Sequence, residues 1–237
     1  MSEYCDTSLL YLKSINKNVA KTLIEKNHYT HKWSLCTVAY GVYYKEYIES
    51  TFFGGFNERL IGVLVYGNAV GRNASTSICP LLTNNNVLEL TRLWIKDNTP
   101  KNTESYVISL SFDWLRENDK NIKVLVSYAD PSAGHLGKIY QATNWLFQIT
   151  TCNEDVLYSM DECKTWMHPR TVVANYGSRD PDNLPKPYHI KNNPPKYRYI
   201  YILTDKREKK KIVSTLNHAT LPYPKQITYV ETIKHIQ

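Results

Sequence analysis

Two β-rich runs with an amphipathic helix between them constrain this chain more than any other feature. VLELTRLWI (87–95) leads through the polar segment KDNTPKNTES into YVISLSFDWLREN, where Val107, Leu110 and Trp114 fall at helical spacing with Ile108, Phe112 and Leu115 beside them. IKVLVSYAD (122–130) is a second strand, and after an Asp-Pro turn KIYQATNW reads as a short helix. Strand, loop, helix, strand, loop, helix favours an α/β or α+β sheet over a helical bundle.

The flanks extend that sheet. LLYLKSI (9–15) predicts a strand, and NKNVAKTLIEKNH a helix capped by Asn16 with Val19, Ala20, Leu23 and Ile24 on one side. TVAYGVYY (37–44) and RLIGVLVY (59–66) predict an antiparallel hairpin, and residues 67–86 an ordered loop. Beyond Gln148 the pattern weakens. Residues 177–196, rich in Pro, Asn and Asp, read as an extended surface connection, KYRYIYIL as a strand, and TDKREKKKIVSTLNH as a helix capped by Thr204 or Asp205. The expected division is a core over 1–150 and a C-terminal extension over 151–237 packed on it.

With 237 residues and 42% hydrophobic content, one or at most two compact units are expected. No apolar run approaches the ~18 residues a membrane helix needs, and the start MSEYCDTS is unlike a signal peptide. The five scattered cysteines form no C-x-x-C pair, so reduced thiols in a soluble, intracellular protein are expected. A formal charge of +7 is compatible with a polyanionic partner.

Four segments carry candidate chemistry. HYTHKWS (28–34) offers two imidazoles and a phenol that could ligate a metal, stack on a base or shuttle protons, or simply be surface and packing residues. The junction from strand 87–95 into the next helix places free N–H groups and a helix dipole where a phosphate could sit; equally, Asn102, Thr103 or Ser105 could cap the first turn. SYADPSAGHLGKIYQ (127–141) lies at a strand end, where open α/β sheets place ligands. Asp130 could be an acceptor or base, His135 a titrating donor and Tyr140 a hydrogen-bond donor. The alternative is a tight turn, with Gly134 and Gly137 permitting positive φ and Tyr140 in the core. KREKKK (206–211) is a solvated helix face or a phosphate contact.

Taken in order, HYTHKWS, IGVLVYG, LELTRLWIKDNTPKNTES and SYADPSAGHLGKIYQATNW resemble the bacteriophage Mom family of DNA adenine modification proteins over about residues 10–150, and KYRYIYILTDKREKKK with LPYPK is similar to the tails of phage relatives. The resemblance implies a GCN5-related N-acetyltransferase-like fold: a mixed central sheet flanked by helices, with a C-terminal extension and central parallel strands that splay to admit acyl-CoA. It further implies conversion of adenine in double-stranded DNA to N6-(carbamoylmethyl)adenine, protecting phage DNA from restriction in the cytoplasm of a bacterial host. By this resemblance His28, Tyr29, Tyr66, Asp130 and Tyr140 are the catalytic candidates. Asn102, Thr103 and Ser105 would hold acetyl-CoA or a related acyl donor in place of the absent glycine-rich loop. Iron is a candidate metal, for which His28, His31 and Asp130 offer ligand types. The target base must be extruded and stacked, for which Tyr29, Trp33 and Trp145 are available; Lys206, Arg207, Lys209, Lys210 and Lys211 would grip phosphates. The rival expectations are an acyl-CoA-dependent N-acyltransferase on a small amine or modified base, and a DNA-binding protein without catalysis.

Overall fold

The computed structural model describes residues 6–48, 55–149, 156–192, 196–227 and 232–237. In chain order the elements are β1 (Leu10–Ser14), α1 (Lys17–Asn27), β2 (Val38–Ile48), β3 (Gly55–Asn68), α2 (Ala74–Ile78), β4 (Val87–Ile95), α3 (Thr103–Asn118) and β5 (Val124–Ala129). They continue with α4 (Lys138–Ala142), β6 (Leu146–Ile149), β7 (Val156–Ser159), α5 (Pro169–Tyr176), β8 (Tyr188–Asn192), β9 (Tyr197–Ile202), α6 (Lys206–Ser214) and β10 (Ile233–Ile236). The chain divides into two compact units: Met1–Ser127 with Lys138–Gln148 and Arg198–Leu221, and Tyr128–Gly137 with Ile149–Tyr197 and Pro222–Gln237.

The first unit is built on a seven-stranded sheet in the order β1-β2-β3-β4-β5-β9-β6. β1 to β4 are antiparallel neighbours, whereas β4 and β5, joined through α3, run parallel. This is the mixed α/β sheet flanked by helices that the alternating pattern predicts. The caps work locally: Asn16 accepts from the Asn18 N–H to start α1, and Asp205 accepts from the N–H groups of Arg207 and Glu208 to start α6.

Each face of the sheet carries its own core. Ala20 and Ile24 of α1 pack with Ala39, Val63, Val65 and Trp94. Antiparallel partners point to one side, so Arg92, opposite Val65, shares this face, and Trp33 and Cys36 are folded into the same cluster. The opposite face packs under α3, where Val107 meets Val42, Ile61 and Ile95. Near the other edge Ile212 of α6 is buried with Ile78, Val87, Val124, Val126, Ile200 and Ile202; truncating Ile212 to Ala should cost about 2–5 kcal/mol. Residues 198–221, expected in a C-terminal extension, therefore belong with the first unit, because β9 joins its sheet and Ile212 seals its core.

The second unit has a three-stranded sheet, β10-β8-β7, with Tyr158, Val172, Leu184 and Tyr188 as its core. β7, α5 and β10 have no counterpart in the sequence expectations. α5 begins with His168 accepting from the Arg170 N–H and with Pro169 in its first turn, and it spans only eight residues, too few for a clear apolar stripe. The loop expected over 67–86 contains α2 and a 3-10 turn at Asn84–Asn86.

Candidate active site

In the first unit the pairing of β4 with β5 ends before β4 does. β4 and β5 pair at Val87–Val124, Leu88–Leu125 and Glu89–Val126, and that register ends there although β4 continues to Ile95. Side chains take over where the ladder stops. The Ser127 hydroxyl is 2.9 Å from the Leu90 carbonyl and 2.8 Å from the Tyr140 hydroxyl, and its one proton can serve only one of them at a time. Tyr140 is 9% exposed and packs against Trp145 and Tyr199. Burial pushes its phenol up to about 12; the Ser127 hydroxyl pulls it down, and Tyr29, Glu89 and Tyr199 add to the rise. Tyr140 is therefore a neutral hydrogen-bond donor throughout the physiological range.

A bulge furnishes the other side of the opening. Tyr66 pairs with Leu90 and Val65 with Arg92, so Thr91 is the extra residue on β4. Without it, Glu89 and Arg92 would point to opposite faces. With it, Glu89, opposite Gly67, and Arg92, opposite Val65, both face the α1 side. Arg92 donates from Nε to the Lys32 carbonyl at 2.9 Å and from a terminal nitrogen to the Thr91 carbonyl at 2.6 Å. Burial lowers its pKa, while Tyr29 and Glu89 favour its charge.

His28 and Tyr29 follow α1 on that same side. The His28 Nδ1 accepts from the Thr30 N–H at 3.2 Å and lies 2.9 Å from the Thr30 hydroxyl, which assigns the ring proton of the neutral form to Nε2. Its ring lies 4.4 Å from that of Tyr29, centroid to centroid, and Tyr29 is 65% exposed. His31 Nδ1 donates to the Glu25 carbonyl at 3.0 Å, closing the end of the helix.

Several expected site residues have other work. Tyr66 is fully enclosed, its hydroxyl 2.7 Å from that of Ser111, and burial raises its pKa well above the usual range despite that bond. Trp145 is fully buried and Trp33 packs into the α1-side core, because indoles bury more apolar area there than they could in a loop. Among the described residues no three His, Cys, Asp or Glu side chains are gathered as metal ligands. Asp130 lies in the second unit and starts a 3-10 turn by accepting from the Ser132 N–H at 2.9 Å, with Lys196 3.9 Å away. Gly134 and Gly137 have positive φ, as a tight turn requires, and the His135 N–H donates to the Asp130 carbonyl.

On the α3 face a cleft of about 430 Å³ is lined by Lys101, Asn102, Ser105, Tyr106, Thr143 and Asn144 among others. Asn102 starts α3 in the left-handed region without a side-chain cap. Thr103 is fully buried, and its hydroxyl donates to the Pro100 carbonyl, so it is not available to a ligand; Ser105 donates to the Asn102 carbonyl yet borders the cleft. Lys206, Arg207, Lys209, Lys210 and Lys211 are all exposed on α6, while Glu208 turns to Lys123 at 2.7 Å. Since Ile212 packs on Val87, which alternation places on the side of Glu89, this basic helix covers the same face as α1. Glu89, Arg92 and Ser127 were absent from the sequence expectations. The available signal was a carboxylate and a guanidinium inside a strand that is otherwise apolar except for Thr91.

The mixed sheet thus parts beside a buried phenol. The chain belongs to the Mom protein family, whose pattern it matches over residues 9–225. It is 29% identical over 221 residues to Methylcarbamoylase mom of Escherichia phage Mu, an alignment that covers 91% of this chain and 84% of that protein. Among solved structures, an N-acetyltransferase from Staphylococcus aureus Mu50 is similar at 12% identity and a TM-score of 0.42, over 83% of this chain and 99% of that one. An aminoglycoside acetyltransferase in complex with coenzyme A and kanamycin is similar at 11% identity and a TM-score of 0.45, over 85% and 98%. Neither of these two likenesses bears on the chemistry of the site. Among the described residues no helix is long and apolar enough to cross a membrane.

Proposed function

We propose that the chain modifies adenine in double-stranded DNA, converting it to N6-(carbamoylmethyl)adenine and so shielding that DNA from restriction. Family membership over residues 9–225 and similarity to a phage methylcarbamoylase support DNA modification. The mechanism rests on one observation, the end of β4–β5 pairing at Glu89 and Val126 beside a neutral buried phenol. Adenine N6 is paired inside the duplex, so the base must be extruded into the opening from the α1 face, where Tyr29 offers an exposed ring to stack on and Glu89 a carboxylate to take the N6 proton as the new N–C bond forms. The donor would bring the carboxamide already formed: N6 attacks its methylene carbon, the bond from that carbon to its leaving group breaks, and Tyr140 donates its hydrogen bond to the departing atom. The five cations of α6 hold phosphates on the same face.

An acyl-CoA fits the cleft on the α3 face by its donor set: Lys101 supplies a cation, and Asn102, Ser105, Asn144 and the first-turn N–H groups of α3 supply polar partners. Bound there, it would supply a thioester-activated carbon. Simple acyl transfer gives an amide, whereas the proposed product joins nitrogen to a methylene bearing a carboxamide. That cleft favours a second reading, N-acylation of an amine or base. The two products differ in mass. DNA from expressing cells, deproteinised and digested to nucleosides, is expected to yield carbamoylmethyladenine by mass spectrometry. An N-acyl adenine would establish the second reading, and unmodified nucleosides with protection only while protein is bound would exclude both.

A further inference from the structure

The connection from α1 to β2, residues 28–37, has no regular secondary structure, yet its backbone is fastened along its length. The His31 N–H donates to the His28 carbonyl at 2.8 Å, Arg92 Nε to the Lys32 carbonyl, and the Thr37 N–H to the Tyr66 carbonyl at 2.7 Å, while the Thr91 hydroxyl divides its one proton between the Leu35 and Val65 carbonyls, each at 3.2 Å. Gly67 permits the closest approach: a Cβ there would stand 2.3 Å from the Leu35 carbonyl oxygen. Trp33 and Cys36 turn into the core. Tyr29, Lys32 and Leu35 turn out, with Leu35 at 56% exposure.

A lone exposed leucine is ordinary. This one is an aliphatic side chain on a fixed backbone at the rim of the opening. Its carbonyl shares with that of Val65 the hydroxyl proton of Thr91, the bulged residue between Leu90, whose carbonyl faces Ser127, and Arg92. Extruding a base leaves a gap in the stack, and an apolar side chain inserted there lowers the cost of keeping it open. Insertion needs a side chain that does not retreat, and the bonds to Leu35 and its neighbours supply that. Lys32 beside it, with Lys26 also exposed, suits the phosphates flanking such a gap.

We propose that Leu35 is the wedge that enters duplex DNA at the position vacated by the target adenine, while Tyr29 receives the extruded base. This rests on the DNA-modifying function above. The test uses the full chain and an oligonucleotide taken from a site the wild type modifies, in two forms: the adenine paired with thymine, or facing an abasic position that leaves it already unpaired. Leu35→Ala is expected to lower kcat/KM on the paired form by at least about tenfold and on the pre-opened form by less than about threefold. Leu35→Met should restore most of the loss, with melting temperature unchanged in both variants. Equal losses on the two substrates, or none on the paired one, would overturn the wedge while leaving the modification reaction intact. If DNA from expressing cells holds no modified site from which to take the oligonucleotide, the DNA reading itself is overturned, and the wedge with it.

Discussion

The two faces of the central sheet are built to different rules, although both meet at the opening beside Tyr140. The cleft on the α3 face is polar and sparingly charged, with one lysine, two asparagines and the hydroxyls of Ser105 and Thr143, both already bonded to the backbone. The α1 face carries charge and exposed rings, with Glu89 and Arg92 brought together by the Thr91 bulge, Tyr29 in the open and five cations on α6. A small activated donor suits the first and a polyanion the second. On the proposed function, the difference means that the parting of β4 and β5 would join a donor cleft on one face to a DNA-binding surface on the other, with the phenol between them.

The largest expected effect lies where the faces meet. Tyr140→Phe keeps the ring and removes only the hydroxyl, so modification should fall at least ~100-fold, the lower range for losing a positioned acid. The melting temperature should change little, because Ser127 can still bond the Leu90 carbonyl. Retained activity would show that the passage holds no chemistry.

Next come changes confined to one face. Lys209→Glu with Lys210→Glu should weaken duplex binding about tenfold or more and lower the salt dependence of binding, log K against log salt, by about two, with any acetyl-CoA-induced rise in melting temperature unaffected. Ser105→Glu should do the reverse, abolishing the acetyl-CoA shift while leaving DNA affinity alone. If either variant changes both properties, the division between faces fails.

The sequence disclosed the alternation of strands and helices, the cap at Asn16, the α6 cap as one of Thr204 and Asp205, and the mixed sheet, because those features rest on local propensity and apolar periodicity. It could not disclose the bulge. Nothing in LELTRLW marks Thr91 as the extra residue, so the shared face of Glu89 and Arg92 follows only from pairing with β3. Nor could it separate Trp33, which is turned inward, from Leu35, which is turned outward, since a segment without regular structure has no period to read. Tyr140 and Asp130 make the same point within one motif. The phenol is fixed by packing and by Ser127, whereas the carboxylate caps its own turn.

That contrast predicts a smaller effect. Asn forms the same turn as Asp, so Asp130→Asn should leave the melting temperature within a degree or two, and any loss of activity would report the charge alone. Smaller still is the pH term. Because the Tyr140 pKa is raised in the folded chain to about 12, its contribution to stability is intact below about pH 10, where an unfolded tyrosine begins to ionise, and is lost as the pH rises from there through 12. Tyr140→Phe should flatten that alkaline decline in a denaturation series.

Hydrogen exchange on the wild type with each ligand in turn tests the two-faced passage most directly. Duplex DNA should slow exchange in residues 28–37 and 206–214, and acetyl-CoA in residues 101–109 and 142–144. Protection of the same segments by both ligands, or DNA protection centred on the start of α3, would contradict it.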